Sequence, residues 1–159
     1  MNHVRHTAIH EAGHAVIGRV LGFPCGGATI VPDAEKGTAG SAHVNTGHAA
    51  WDRWMDLGKA RSEFVLFRAG IIVLLAGEEA EKQILGNNSD GYEGDYEHAL
   101  HLSMEMSDVS LDPEQRVFRR LQRQTARLVR KHRVKIERAG DALLDKHTLS
   151  SDEINALMC

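Results

Sequence analysis

The sequence predicts a mainly α-helical domain with a small β element near its N-terminus. Three observations predict it. Apolar residues recur at helical spacing over most of the chain. Strand candidates are confined to two short stretches near the start, the β-branched 28–31 and the weaker 40–44. Gly22 with Pro24, Gly86-Asn87-Asn88-Ser89 and Asp112-Pro113 punctuate the helical stretches. At 159 residues the chain has the length of one domain, taken as 1–159.

Residues 4–21 read as the first helix, because Ala8, Ala12, Ala15 and Val16 fall near helical spacing on one face. Gly22 and Pro24 end it, as a glycine cap followed by a proline does. Ala28-Thr29-Ile30-Val31 is a strand candidate stopped by Pro32, and 40–44 is a weaker second one, with 33–39 joining them. Residues 45–51 read as irregular, and helix is expected from Trp54 onward. A strong helical stretch covers 63–85. The next helix starts within 90–95 and runs through Met106. Asp112-Pro113 opens a long helix, with proline at a tolerated first-turn position. The last helix starts near Ser151, where Ser-Asp-Glu-Ile resembles a capped start.

Composition excludes several classes. Two cysteines, Cys25 and Cys159, make no disulfide framework and suit a reducing compartment. The start of the chain has neither an uninterrupted apolar core nor a cleavage pattern, so no signal peptide is expected. The longest apolar run, 69–76, is far short of the roughly 20 residues that span a bilayer. A cytoplasmic location is the expectation. The net charge of −3 names no partner.

The chemistry concentrates in His10-Glu11-Ala12-Gly13-His14. On a helix, positions i and i+4 share a face, so two imidazoles can converge on one ion. Neutral imidazole is a good zinc ligand. Glu11 projects about 100° further round the helix, where it can reach a water on the ion without ligating the ion itself. Zinc lowers the pKa of such a water towards about 7, and a carboxylate beside it can take the proton and pass it to a leaving amine. The competing reading is two solvent-facing histidines on an ordinary helix.

A catalytic zinc site needs a third protein ligand. No third histidine follows on the same helix, which turns at Gly22 and Pro24. Asp95 shares a stripe with Ala99, Leu102 and Met106, so it should face the interior, where a carboxylate needs a cation or donors. Its ordinary alternative is charge complementarity with a helix start. Glu78, Glu79 and Glu81 compete for the role. Glu81, near an apolar face, is also placed to orient a ligand imidazole rather than to ligate.

These residues resemble the peptidase domain of the FtsH family of AAA zinc metalloproteases. The resemblance runs in order from His10-Glu11-Ala12-Gly13-His14-Ala15 through Thr29-Ile30-Val31-Pro32 and Gly40. It continues in Leu75-Ala76-Gly77-Glu78-Glu79-Ala80-Glu81 and Asp90-Gly91-Tyr92-Glu93-Gly94-Asp95, and ends at Leu143-Leu144 to Ile154. It implies a zincin-like helical fold, with zinc on His10, His14 and Asp95 and Glu11 as the catalytic base. It also implies an endopeptidase acting on peptides or unfolded proteins. By analogy it implies a ring-forming homo-oligomer, a hexamer in that family. The family's ATPase module and membrane helices have no counterpart here, so the expected activity is independent of an ATPase of its own, with a separate unfoldase as a possible partner. Glu78 stands where the family has arginine, and Tyr92-Glu93 replace small residues. Thr29, Ile30 and Val31 are expected to bind substrate as an added β-strand through main-chain hydrogen bonds.

Two other functions compete. A catalytically silent, zinc-stabilised interaction module of the same fold would need the ligands but not Glu11, and structural zinc is usually closed by four protein ligands. The stretch 116–138 holds ten Lys or Arg against one acid, Glu137. Nucleic-acid binding through it is not favoured, because the stretch has few aromatics and no accompanying motif. A solvated face or a subunit contact against an acidic surface is the expectation.

Overall fold

The structure, a computed structural model, describes residues 2–35, 37–44, 61–87, 93–106 and 115–159. Among these, five helices and three short strands follow the order α1 (Asn2–Val20), β1 (Cys25–Thr29), β2 (Ser41–Val44), α2 (Arg61–Leu85), α3 (Glu93–Met106), α4 (Arg116–Lys146), β3 (Thr148–Ser150) and α5 (Ser151–Leu157). The protein is mainly helical with a small three-stranded sheet. No helix among the described residues is long and apolar enough to cross a membrane. The readings for 45–51, for the helix onset at Trp54 and for Asp112-Pro113 fall outside the described residues.

α1 is the centre of the molecule, packed against α2, α4 and the sheet. Small residues make that possible. A side chain at Gly13 would meet the Ala76 carbonyl oxygen at 2.7 Å, so α1 and α2 touch backbone to backbone. Gly140 of α4 gives the same clearance to Ile9. Every residue from His6 to Gly18 is buried. The expected one-faced stripe of Ala8, Ala12, Ala15 and Val16 is therefore corrected: α1 is enclosed on all sides, as a helix inside a core is. Its end is the expected one. Gly22 has φ 86°, and Phe23 N–H donates to the Gly18 carbonyl while Gly22 N–H donates to that of Arg19, which satisfies carbonyls the helix leaves open.

The sheet differs from its sequence reading in register and in size. Its order is β2-β1-β3, with both pairings antiparallel. β1 starts at Cys25, three residues earlier than expected, because Gly26-Gly27 forms a bulge rather than a turn. The register slips between Cys25 and Ala28, and Gly27 sits at φ 126° with no room for a side chain against the Leu149 carbonyl. Ile30 and Val31 lie beyond the strand, although Ile30 N–H still donates to the His147 carbonyl at 2.9 Å. β3 was not read as a strand. It follows directly on the left-handed His147 that caps α4, and it leads into α5 through a capping box on Ser150 and Glu153. The cap is thus Ser150, one residue before the expected start.

Candidate metal centre

His6, His10 and His14 succeed one another at four-residue spacing along α1, so they share one face, and the His10 and His14 rings meet edge to face. α2 lies across that face, and Gly77 is where it meets the His10 and His14 rings. A Cβ there would meet His14 Nε2 at 2.6 Å and His10 Cε1 and Nε2 at 2.7 Å. Asp95 enters from the first turn of α3, with its side chain 37% exposed. Its expected stripe holds: Ala99 and Leu102 are buried and Met106 is partly so. The helix start and the inward approach are both properties of the same residue.

Three donor atoms converge. His10 Nε2 and His14 Nε2 are 2.9 Å apart. Asp95 Oδ2 lies 3.1 Å from His14 Nε2 and 3.4 Å from His10 Nε2. The opposite nitrogen of each ring is already engaged. His14 Nδ1 faces the Val73 carbonyl oxygen at 2.7 Å, and a carbonyl only accepts, so Nδ1 carries the hydrogen. His10 Nδ1 faces Glu81 Oε1 at 2.7 Å, and the same argument holds for a carboxylate. In the neutral form with that tautomer, each ring would present an Nε2 lone pair to the other and to a carboxylate. Three acceptors this close require a positive charge among them.

A zinc ion satisfies that requirement. Tetrahedral zinc with bonds near 2.0–2.1 Å sets its donor atoms about 3.3–3.4 Å apart. The triangle matches on its longest edge and is a few tenths of an ångström tight on the others, so a small outward relaxation accommodates the ion. Two imidazoles and one carboxylate are also a ligand set found at catalytic zinc, with a fourth position left open. Among the described residues this is the group whose ligand atoms come together. Glu78 pairs with Lys82 and Glu79 accepts from Gln83, both away from the triangle.

Electrostatics agree. Burial by itself would push the His10 imidazole down, but hydrogen bonds to Asp95 and Glu81 and the nearby Glu11 charge outweigh it, raising its pKa to about 9 in the metal-free chain. Such a proton is one way to supply the positive charge that the three acceptors require. Burial pushes the Asp95 carboxyl up, and the two imidazoles more than reverse this, holding it well below its ordinary range. Glu11 is 4% exposed, and burial raises its pKa against the opposing pull of His14 and His10.

The triangle opens into a cleft of about 440 Å³ whose lining includes Glu11 and Asp95, the 37–40 turn, and Ser41, Ala42 and Val44 of β2. That volume is within the range of small-molecule and peptide-side-chain sites. The expected substrate strand needs correction. Thr29 is paired on both sides, with Ser41 and with Thr148, so its main chain has no edge to offer, and Ile30 and Val31 lie outside the strand. The strand beside the cleft is β2, one of the two outer strands of the sheet among the described residues.

The sequence reading missed His6 and Gly77 as site-building residues. His6 could have been found from its i, i+4, i+8 spacing with His10 and His14. Gly77 could have been flagged as a lone glycine inside a helical stretch, which usually has a packing reason. Nothing in the sequence marks the Val73 carbonyl. Comparison with models of known protein families and with curated proteins returns no match.

Proposed function

We propose that the chain is a zinc-dependent endopeptidase acting on peptides or unfolded proteins without an ATPase of its own. The observation that carries this reading is the tautomer-locked triangle of His10, His14 and Asp95 with a buried carboxylate, Glu11, in the same cleft. The resemblance to the FtsH-family peptidase domain points the same way.

When bound, zinc supplies Lewis acidity, polarising a scissile carbonyl and acidifying a water. The chain's own groups do the rest. Val73 and Glu81 hold each ligand ring in the tautomer that leaves Nε2 basic. The raised pKa of Glu11 makes its carboxylate a better proton acceptor near neutrality, suited to take the proton of the attacking water and return it to the leaving amine. An extended peptide lying along β2 would be held mainly through main-chain hydrogen bonds, which suits broad sequence tolerance. Glu11 is the feature that weighs against a silent zinc-stabilised module, which has no use for a buried carboxylate beside an open metal position.

The test is hydrolysis of unfolded casein with and without a chelator, for wild type and Glu11→Gln. Wild type should cleave and lose activity to the chelator, while Glu11→Gln should retain zinc and lose cleavage by at least about 100-fold, the lower bound for a general base. A Glu11→Gln preparation that cleaves at the wild-type rate removes the base assignment. A wild type that binds zinc and cleaves nothing favours the interaction module.

A further inference from the structure

We infer that His6 is a positioning residue for the metal centre, holding one oxygen of Glu81 so that the other fixes the His10 ring. This rests on the metal reading above and goes beyond it, since His6 is neither a ligand nor part of the acid–base chemistry.

The contacts are short and buried. Glu81 is fully buried, and its two oxygens are divided between two rings of α1: Oε2 accepts from His6 Nδ1 at 2.6 Å and Oε1 from His10 Nδ1 at 2.7 Å. His6 is itself 4% exposed. A carboxylate anchored at one oxygen can still swing about its last torsion, which is broad. Anchored at both, its plane is fixed, and with it the direction in which His10 Nε2 points. The His10 ring has little tolerance for error, because His14 Nε2 lies 2.9 Å away on one side and α2 crosses at Gly77 on the other. A chain using Glu81 only to neutralise His10 would need no imidazole on the second oxygen. Placing one there, a helical turn before the first ligand, extends the orienting contact one shell further out.

A purely structural role for His6, filling space and satisfying a buried acid, makes a different prediction, and three variants separate the two. His6→Phe keeps the ring volume and removes the donor. His6→Asn keeps an N–H near the position of Nδ1. Combining His6→Phe with Glu81→Ala asks whether His6 acts through Glu81. The measurements are the zinc affinity of the purified chain, by competition with a chromogenic chelator, the visible spectrum of the cobalt-substituted chain, and the melting temperature of the metal-free chain. Outer contacts of this kind typically change metal affinity by 10–100-fold. His6→Phe should weaken zinc binding by about 10-fold, at the low end of that range because it acts one contact further out. It should also shift the cobalt bands, while His6→Asn restores most of both. In the Glu81→Ala background His6→Phe should add nothing. Should His6→Phe fail to fold, His6→Ala makes the same comparison.

Three results overturn the inference: wild-type zinc affinity and cobalt spectrum in His6→Phe, an equal loss in His6→Phe and His6→Asn, or a full additive loss in the Glu81→Ala background. A wild type that binds no zinc removes the metal reading and this inference with it. A wild type that binds zinc beside an unaffected His6→Phe removes this inference alone.

Discussion

Replacing Gly77 by alanine tests whether the three donors form one clasped site. Gly77 lies inside α2, where alanine is the better helix former by about 1 kcal/mol, so local propensity favours the change. The space does not. The new Cβ would stand 2.6 Å from His14 Nε2 and 2.7 Å from two atoms of the His10 ring, whereas ordinary contact starts at 3.4 Å. The rings must therefore retreat by roughly 0.7 Å, several times the ~0.2 Å within which metal–ligand distances are held. Neither ring can do so freely, since each is tied through Nδ1, to Val73 and to Glu81. Zinc affinity should fall by at least about 100-fold, equivalent to about 2.8 kcal/mol. Chelator competition reads the affinity, and a thermal melt of the metal-free chain reads the fold. Gly13→Ala serves as the comparison, because its Cβ would strike Ala76 and Ala80 rather than a ligand ring. That variant should lose about 1–3 kcal/mol of stability through overpacking. Wild-type zinc affinity in folded Gly77→Ala would show that the rings are not pressed against α2 and would refute the reasoning.

The remaining expectations are briefer. Asp95→Ala should lower zinc affinity beyond the 10–100-fold range expected for Glu81→Ala, because Asp95 supplies a corner of the triangle while Glu81 meets His10 on the side of the ring away from it; the reverse order in a chelator titration would make Glu81 the third ligand. Ser150→Ala should cost about 1 kcal/mol, measured by urea denaturation, since it removes the side-chain cap of α5. The hydrogen bonds from Lys146 and Ser150 hold the Glu153 carboxyl below its ordinary range, so the folded chain takes up that proton less readily than the unfolded one. Its contribution is present above the ordinary carboxyl pKa and is lost as pH falls through the lowered value, so acid denaturation curves of wild type and Glu153→Gln should converge at low pH; curves that stay parallel from neutral to acid would count against the cap.

The parts of this molecule that could be read in advance are those that depend on side-chain type at a regular spacing. His10 and His14 lie on one face because four residues make about one turn, and Asp95 turns inward because Ala99 and Leu102 do. The end of α1 was readable because Gly22 has a conformational preference strong enough to act alone. What escaped the reading depends on a second element that the local sequence does not contain. Gly26-Gly27 reads as a turn by propensity, yet lies in a strand that is bulged against β2 and paired at Gly27 with β3, over a hundred residues later. α1 reads as one-faced because its small residues look neutral, yet Gly13 and Gly140 are where α2 and α4 close over it.

The same division runs through the site. The residues with reactive side chains announce themselves, whereas what fixes their tautomers and spacing is a carbonyl at Val73, an absent side chain at Gly77 and the second oxygen of Glu81. A motif of two histidines and a glutamate specifies which atoms are available. Whether those atoms meet within bonding distance of one ion depends also on how closely α2 presses on the two α1 rings, and that approach is allowed by residues with almost no side chain. On the proposed reading, a variant with every ligand intact would still lose the metal, and substitutions at the helix contact test the proposed centre as directly as substitutions of the ligands themselves.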